Sequence, residues 1–200
     1  MNRIAVLASG RGSNFQALID AVLSGTVPAA CVRLITDNPD AYAIERANRA
    51  GIPVSVVDFG RFSDRDAYES HLRAVMHECR ADLYVLAGYM RLLDPRTVTE
   101  FAGRIINIHP ALLPAFPGLH APRQAIEHGV KVSGCTVHFV DSGMDSGPII
   151  LQRAVPVYED DDEDSLAERI LAEEHLCLSE AVRLFCEGRL QIEGRRVHIR

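Results

Sequence analysis

Short apolar runs alternate with amphipathic stretches through the first half of the chain. Residues 4–8 are a continuous apolar run, and residues 14–23 then place Phe15, Leu18, Ile19 and Val22 on one helical face. The alternation repeats: a strand-like run at 31–35, a helix from about 41 to 50 that stops at Gly51, a strand at 53–57, a helix from about 64 to 79, and strands at 82–87 and 104–108. Strands that are apolar on both faces, separated by helices, predict an α/β fold with a Rossmann-like, mostly parallel sheet and helices on both faces. In such sheets ligands bind beyond the carboxyl ends of the strands. Those ends carry residues 9–14, 88–93 and 107–114.

The texture changes after Pro110, where Pro114, Pro117 and Pro122 crowd a stretch that reads as irregular. Residues 131–140 and 148–157 then look like two longer strands flanking a Gly-rich loop at 141–147, and they predict an antiparallel ribbon toward the C-terminal part. A long helix is expected from about 165 to 187, capped by Asp164 or Ser165. Residues 190–192 and 196–199, around Glu193-Gly194, read as a hairpin. No repeat or linker interrupts the pattern, so a single domain over 1–200 is the simplest organisation.

Composition narrows the function classes. Hydrophobic residues make up 48% and charged residues 24%, the mix of an ordinary globular domain. The net charge of −6 argues against a nucleic-acid partner, while leaving room for a small anion held by local donors. The five cysteines are odd in number and form no CxxC pair, which speaks against a disulfide framework or structural zinc and for a reducing, cytoplasmic setting. No metal-ligand spacing occurs in the acidic run 159–164, and no metal is expected. The N-terminal apolar run is too short for a signal peptide, and no stretch approaches the roughly 18 apolar residues of a membrane span. A homodimer is neither required nor excluded by the sequence.

Two constellations carry chemistry. Ser9-Gly10-Arg11-Gly12-Ser13-Asn14 lies between a predicted strand and a predicted helix. Exposed backbone N–H groups at a helix start bind anions, and glycines allow close approach. The same residues also suit a plain tight turn with a Ser or Asn cap. Phe15 stands where a dinucleotide fingerprint wants a third glycine, and no Gly-Lys-Ser/Thr is present, so a single phosphate monoester fits better than a dinucleotide. Asp37 sits where a ribose-binding acid could be, and a turn role in Thr36-Asp37-Asn38-Pro39 is the simpler reading.

The second constellation begins with Asn107 and His109, whose i, i+2 spacing at a strand end points both side chains to one face. An amide can stabilise an oxyanion and an imidazole can exchange protons near neutral pH. A capping Asn with a structural His is the alternative. Asp145 lies in the loop Asp141-Ser142-Gly143-Met144-Asp145-Ser146-Gly147-Pro148, which is equally readable as a polar turn. His138, in a strand of alternating pattern, is as readily structural as functional.

Together these segments resemble one family. The ordered set is Ser9-Gly10-Arg11-Gly12-Ser13-Asn14, Leu86-Ala87-Gly88-Tyr89-Met90-Arg91, Asn107-Ile108-His109-Pro110-Ala111-Leu112-Leu113-Pro114, Phe116-Pro117-Gly118 and Asp145-Ser146-Gly147-Pro148-Ile149-Ile150. It resembles the folate-dependent formyltransferases, and the Ser-Gly-x-Gly-Ser-Asn loop narrows the likeness to the branch acting on glycinamide ribonucleotide. The resemblance implies transfer of a formyl group from 10-formyltetrahydrofolate, as co-substrate, to the amine of N1-(5-phospho-D-ribosyl)glycinamide in de novo purine biosynthesis. It implies a ribonucleotide-binding half over about 1–100 and a folate-binding, catalytic half over about 85–190.

Gly12, Ser13 and Asn14 would hold the phosphate, and Glu174 would contact the ribonucleotide. Arg65, Met90, Arg91, Leu92 and Leu93 would line the folate pocket. Asn107 would bind the formyl oxygen, His109 would donate a proton, and Asp145 would favour the protonated form of His109. Ala111 and Ala115 depart from the pattern of many relatives, which puts only local pocket polarity in question. The rival readings are a 10-formyltetrahydrofolate deformylase, which acts on water and whose relatives carry an extra N-terminal domain, and a non-catalytic phosphate-binding module.

Overall fold

A computed structural model describes residues 1–200. Nine strands form one sheet in the order β3-β2-β1-β4-β5-β6-β7-β9-β8. The strands are β1 (Asn2–Leu7), β2 (Ala29–Thr36), β3 (Val54–Val56), β4 (Leu83–Leu86), β5 (Ile105–His109), β6 (Val132–Phe139), β7 (Ile149–Pro156), β8 (Leu190–Glu193) and β9 (Arg196–Ile199). The first five pair in parallel, and β6 and β7 extend the sheet antiparallel. The α/β class and the antiparallel C-terminal ribbon are as the hydrophobic pattern predicts.

The buried parallel strands alternate their side chains between the two faces. In β1, Ile4 and Val6 join the core on one side, and Ala5 and Leu7 the core on the other. The first side is covered by α1 (Ser13–Leu23), α2 (Ala43–Arg49), α5 (Ala121–Glu127) and α6 (Glu163–Cys186). The second is covered by α3 (Arg65–Cys79), whose Tyr68, Leu72 and Met76 are fully buried, with α4 (Pro95–Glu100) beside it. No helix is long and apolar enough to cross a membrane.

Three local expectations need correction. The proline-rich stretch is not wholly irregular, because Pro122 sits in the first turn of α5. There its missing N–H costs nothing. The cap of α6 is Asp162, not Asp164 or Ser165: its carboxylate accepts from the Ser165 N–H (2.8 Å), and the Ser165 hydroxyl accepts from the Asp162 N–H (3.0 Å). Asp37 does not organise its turn, since the Asx role falls to Asn38, whose Oδ1 accepts from the Asp40 N–H (2.9 Å).

Candidate active site

The strand-to-helix turn at residues 9–14 is pinned to α2. The Ala43 N–H donates to the Gly10 carbonyl (3.1 Å) and Arg46 Nε donates to the Arg11 carbonyl (2.8 Å). Gly12 caps α1 in the left-handed region, with φ 67°, and a Cβ there would lie 2.8 Å from that of Ala43. Only glycine fits both demands. No side chain caps α1, so the Ser or Asn cap of the alternative reading is not made. The first N–H groups of the helix keep their donors free of a cap. Asn14 is buried and its Nδ2 donates to Glu174 Oε2 of α6 (2.8 Å), while its Oδ1 is buried without a partner. Burial pushes the Glu174 carboxyl up, against the opposing hydrogen bond from Asn14.

Asn107 and His109 follow Ile105 on the same face of β5. Ile105 belongs to the α3-side core, and beyond it the face turns polar. The antiparallel register sets His138 opposite Asn107 and Thr136 opposite His109. His138 Nδ1 donates to the Phe139 carbonyl (2.9 Å), which leaves Nε2 to accept from Asn107 Nδ2 (3.2 Å). Burial holds the His138 pKa below the usual range, in keeping with that neutral ring. The sequence alone leaves the role of His138 open. Its signal is the polar alternation Thr136/His138 within an apolar strand, but register was needed to show what it faces.

The loop after β6 folds back over the strand. Asp141 Oδ1 accepts from the Gly143 N–H (3.0 Å) and the Ser146 hydroxyl (2.7 Å), which makes Asp141, not Asp145, the turn-forming residue. Asp145 is left-handed, with φ 49°, a conformation that costs a non-glycine residue free energy. Its Oδ2 accepts from the Gly118 N–H (2.8 Å) and lies 3.4 Å from His109 Nδ1; its Oδ1 lies 3.5 Å from Asn107 Nδ2. The other nitrogen of His109, Nε2, faces the Phe116 carbonyl at 2.8 Å. Acceptors therefore face both ring nitrogens, and the doubly protonated ring is the form that satisfies both.

Two cavities meet at Asn107 and Asp145, and His109 lines the larger of them. The larger, about 1000 Å³, is lined by Arg11, Asn14 and Glu174 where α1 begins and by Asn107, His109 and Asp145. The smaller, about 350 Å³, lies between Leu92, Leu93 and Arg65 on one side and residues 140–145 on the other. Asn107 and Asp145 line both. Met90 and Leu92 are exposed apolar side chains on the rim of the larger cavity. Arg65 Nη2 donates to the Leu92 carbonyl (3.2 Å). Arg91 is held between Asp37 (2.8 Å) and the ring of Phe59 (4.3 Å to its centroid), an arrangement that makes Asp37 an anchor of the 88–93 segment. Gly12 and Ser13 line neither cavity; of the turn, Arg11 and Asn14 line the larger one.

A mostly parallel α/β sheet with an amide, an imidazole and a carboxylate between two substrate-sized cavities defines a group-transfer enzyme class. The family model described as formyl transferase matches residues 2–182, and the chain belongs to the formyl transferase family. It is 42% identical over 189 residues to the Escherichia coli phosphoribosylglycinamide formyltransferase, covering 94% of this chain and 89% of that one. It is 48% identical over 188 residues to the trifunctional purine biosynthetic protein adenosine-3 of Drosophila melanogaster, covering 93% of this chain and only 14% of that much longer protein. Among solved structures, glycinamide ribonucleotide transformylase 1 from Symbiobacterium toebii superposes with a TM-score of 0.97 at 55% identity, covering 100% of this chain and 94% of that one. A formyltetrahydrofolate deformylase from Pseudomonas syringae is more distant, with a TM-score of 0.93 at 26% identity, covering 99% of this chain and 65% of that one.

Proposed function

We propose that the chain transfers the formyl group of 10-formyltetrahydrofolate to the amine of N1-(5-phospho-D-ribosyl)glycinamide, a step of de novo purine biosynthesis. The observation that carries this reading is the sharing of Asn107 and Asp145 between two cavities. A reaction joining two bound molecules needs its polar groups where their sites touch, because holding both partners in register removes much of the barrier.

The ribonucleotide lies in the larger cavity. Its phosphate rests on the uncapped N-terminus of α1, with the N–H groups of Gly12, Ser13 and Asn14 as donors. Glu174 and the unpartnered Asn14 Oδ1 accept from ribose hydroxyls. The folate lies against the smaller cavity, its heteroaromatic ring between the apolar side chains Leu92, Leu93 and Val140, with Met90 and Arg91 at the junction and Arg65 at the mouth.

In the chemical step the substrate amine attacks the formyl carbon. The carbonyl oxygen becomes an oxyanion, stabilised by Asn107 Nδ2 and by protonated His109, whose Nε2–H exchanges the Phe116 carbonyl for the substrate. Removing one such donor costs about 10²–10³ in rate. The carbon–nitrogen bond to the folate then breaks, and its departing nitrogen takes the proton that His109 carries. The attacking nitrogen releases one proton, which restores His109, so charge and protons balance over the cycle. Asp145 holds the imidazolium, and His138 holds the Asn107 amide.

Hydrolysis is the rival outcome for the same trio. The test is the release of tetrahydrofolate by purified protein with and without the ribonucleotide. Release that depends on the ribonucleotide supports transfer; equal release without it would assign the chain to hydrolysis, and none in either case would leave a binding module.

A further inference from the structure

The larger cavity is poor in free positive charge. Four carboxylates line it, those of Asp145, Asp164, Glu168 and Glu174. Of its cationic or protonatable side chains, Arg91 is paired with Asp37 (2.8 Å), His109 faces Asp145 (3.4 Å) and His120 faces Glu163 (3.3 Å). Arg11 alone among them makes no ion pair and no side-chain hydrogen bond, although its own carbonyl is fixed by Arg46 Nε at 2.8 Å. An unpaired guanidinium on a pinned backbone, at the cavity end where α1 begins, faces a site whose other charges are mostly negative. A doubly charged phosphate entering there meets repulsion from the cavity's carboxylates, which the helix terminus, equivalent to about half a charge, offsets only in part.

A second observation lies beside it. Asn14 is 8% exposed, and its buried Oδ1 has no donor. A phosphate oxygen cannot supply one, but a sugar hydroxyl can. The two unsatisfied groups, one cation and one acceptor, match the two ends of a sugar phosphate.

Resting on the transferase reading above, we propose that Arg11 is a phosphate-contacting residue that sets discrimination between phosphorylated and unphosphorylated ribosylglycinamide. The guanidinium supplies the charge that the backbone cradle lacks, through planar N–H donors suited to phosphate oxygens. It acts on binding of the ribonucleotide and not on the chemical step, because Asn107, His109 and Asp145 belong to other segments.

The test compares kcat/KM for the ribonucleotide and for its dephosphorylated nucleoside in wild type, Arg11→Ala and Arg11→Lys, at saturating 10-formyltetrahydrofolate. The expected result is a loss of about tenfold or more for Arg11→Ala on the ribonucleotide, the scale of a charge-assisted hydrogen bond. The nucleoside should be used equally well by all three proteins, Arg11→Lys should recover part of the loss, and the salt dependence of KM should flatten in Arg11→Ala. An Arg11→Ala that keeps wild-type preference for the phosphorylated substrate, or that loses equally on both, overturns the proposal while leaving the cradle in place. A wild type indifferent to the phosphate would instead refute the phosphate cradle itself.

Discussion

The two ends of the larger cavity are built in opposite ways. The phosphate end is contiguous: one turn between β1 and α1, with one glycine forced by φ and by Ala43. The reacting end is assembled from β5, from β6 and from the loop that returns to β7, and nothing but sheet register and loop folding brings Asn107, His138 and Asp145 together. The contiguous end works through the backbone groups of one turn, with the Arg11 and Asn14 side chains beside them. The assembled end works through side chains that each depend on a neighbour. Substitutions should therefore affect mainly turnover at the assembled end and mainly ribonucleotide binding at the contiguous end.

The largest expected effect is at His109. His109→Ala removes the proton donor and should lower kcat by about 10²–10⁴, with KM for the ribonucleotide nearly unchanged, in steady-state assays. Next is Gly12→Ala, which meets Ala43 and a left-handed backbone together. It should raise KM for the ribonucleotide by at least about tenfold and cost about 1–2 kcal/mol in denaturant unfolding.

His138→Phe keeps an aromatic ring but deletes the acceptor for Asn107 Nδ2. A several-fold loss in kcat without a matching change in either KM would identify His138 as a positioning residue; an unchanged kcat would make it structural.

The smallest effect concerns Glu174, whose carboxyl burial pushes up. The folded state then holds its proton longer than the unfolded chain does. Stability is lost as pH rises from the unfolded value, about 4.3, through the folded one. Glu174→Gln should melt higher than wild type at pH 8, with the gap closing toward pH 4, even as ribonucleotide affinity falls.

The same contrast explains what the sequence shows and what it hides. The parallel half is legible because each strand is apolar on both faces and each helix carries a clean stripe, as in Phe15, Leu18 and Ile19. The turn at 9–14 is legible because its residues are neighbours. The short helices α4 and α5 are masked by prolines, although Asp94 accepting from the Arg96 N–H (2.6 Å) before Pro95 is a helix-start signal in the sequence itself. Asn107 and His109 could be paired by their spacing, but their link to Asp145 came only through family likeness. No local pattern announces that a loop will turn Asp145 left-handed and lay it on Gly118. The Arg91–Asp37 ion pair and the His138–Asn107 contact are likewise products of tertiary register, so local reading gave Asp37 a turn role and left His138 open.

The central claim is that His109 and Asp145 act as one unit where the two cavities join. A double-mutant cycle on kcat with His109→Ala, Asp145→Asn and the double variant measures this directly. Coupled groups predict a double variant no more than a few-fold slower than the slower single variant. Losses that multiply across the two substitutions would contradict the account.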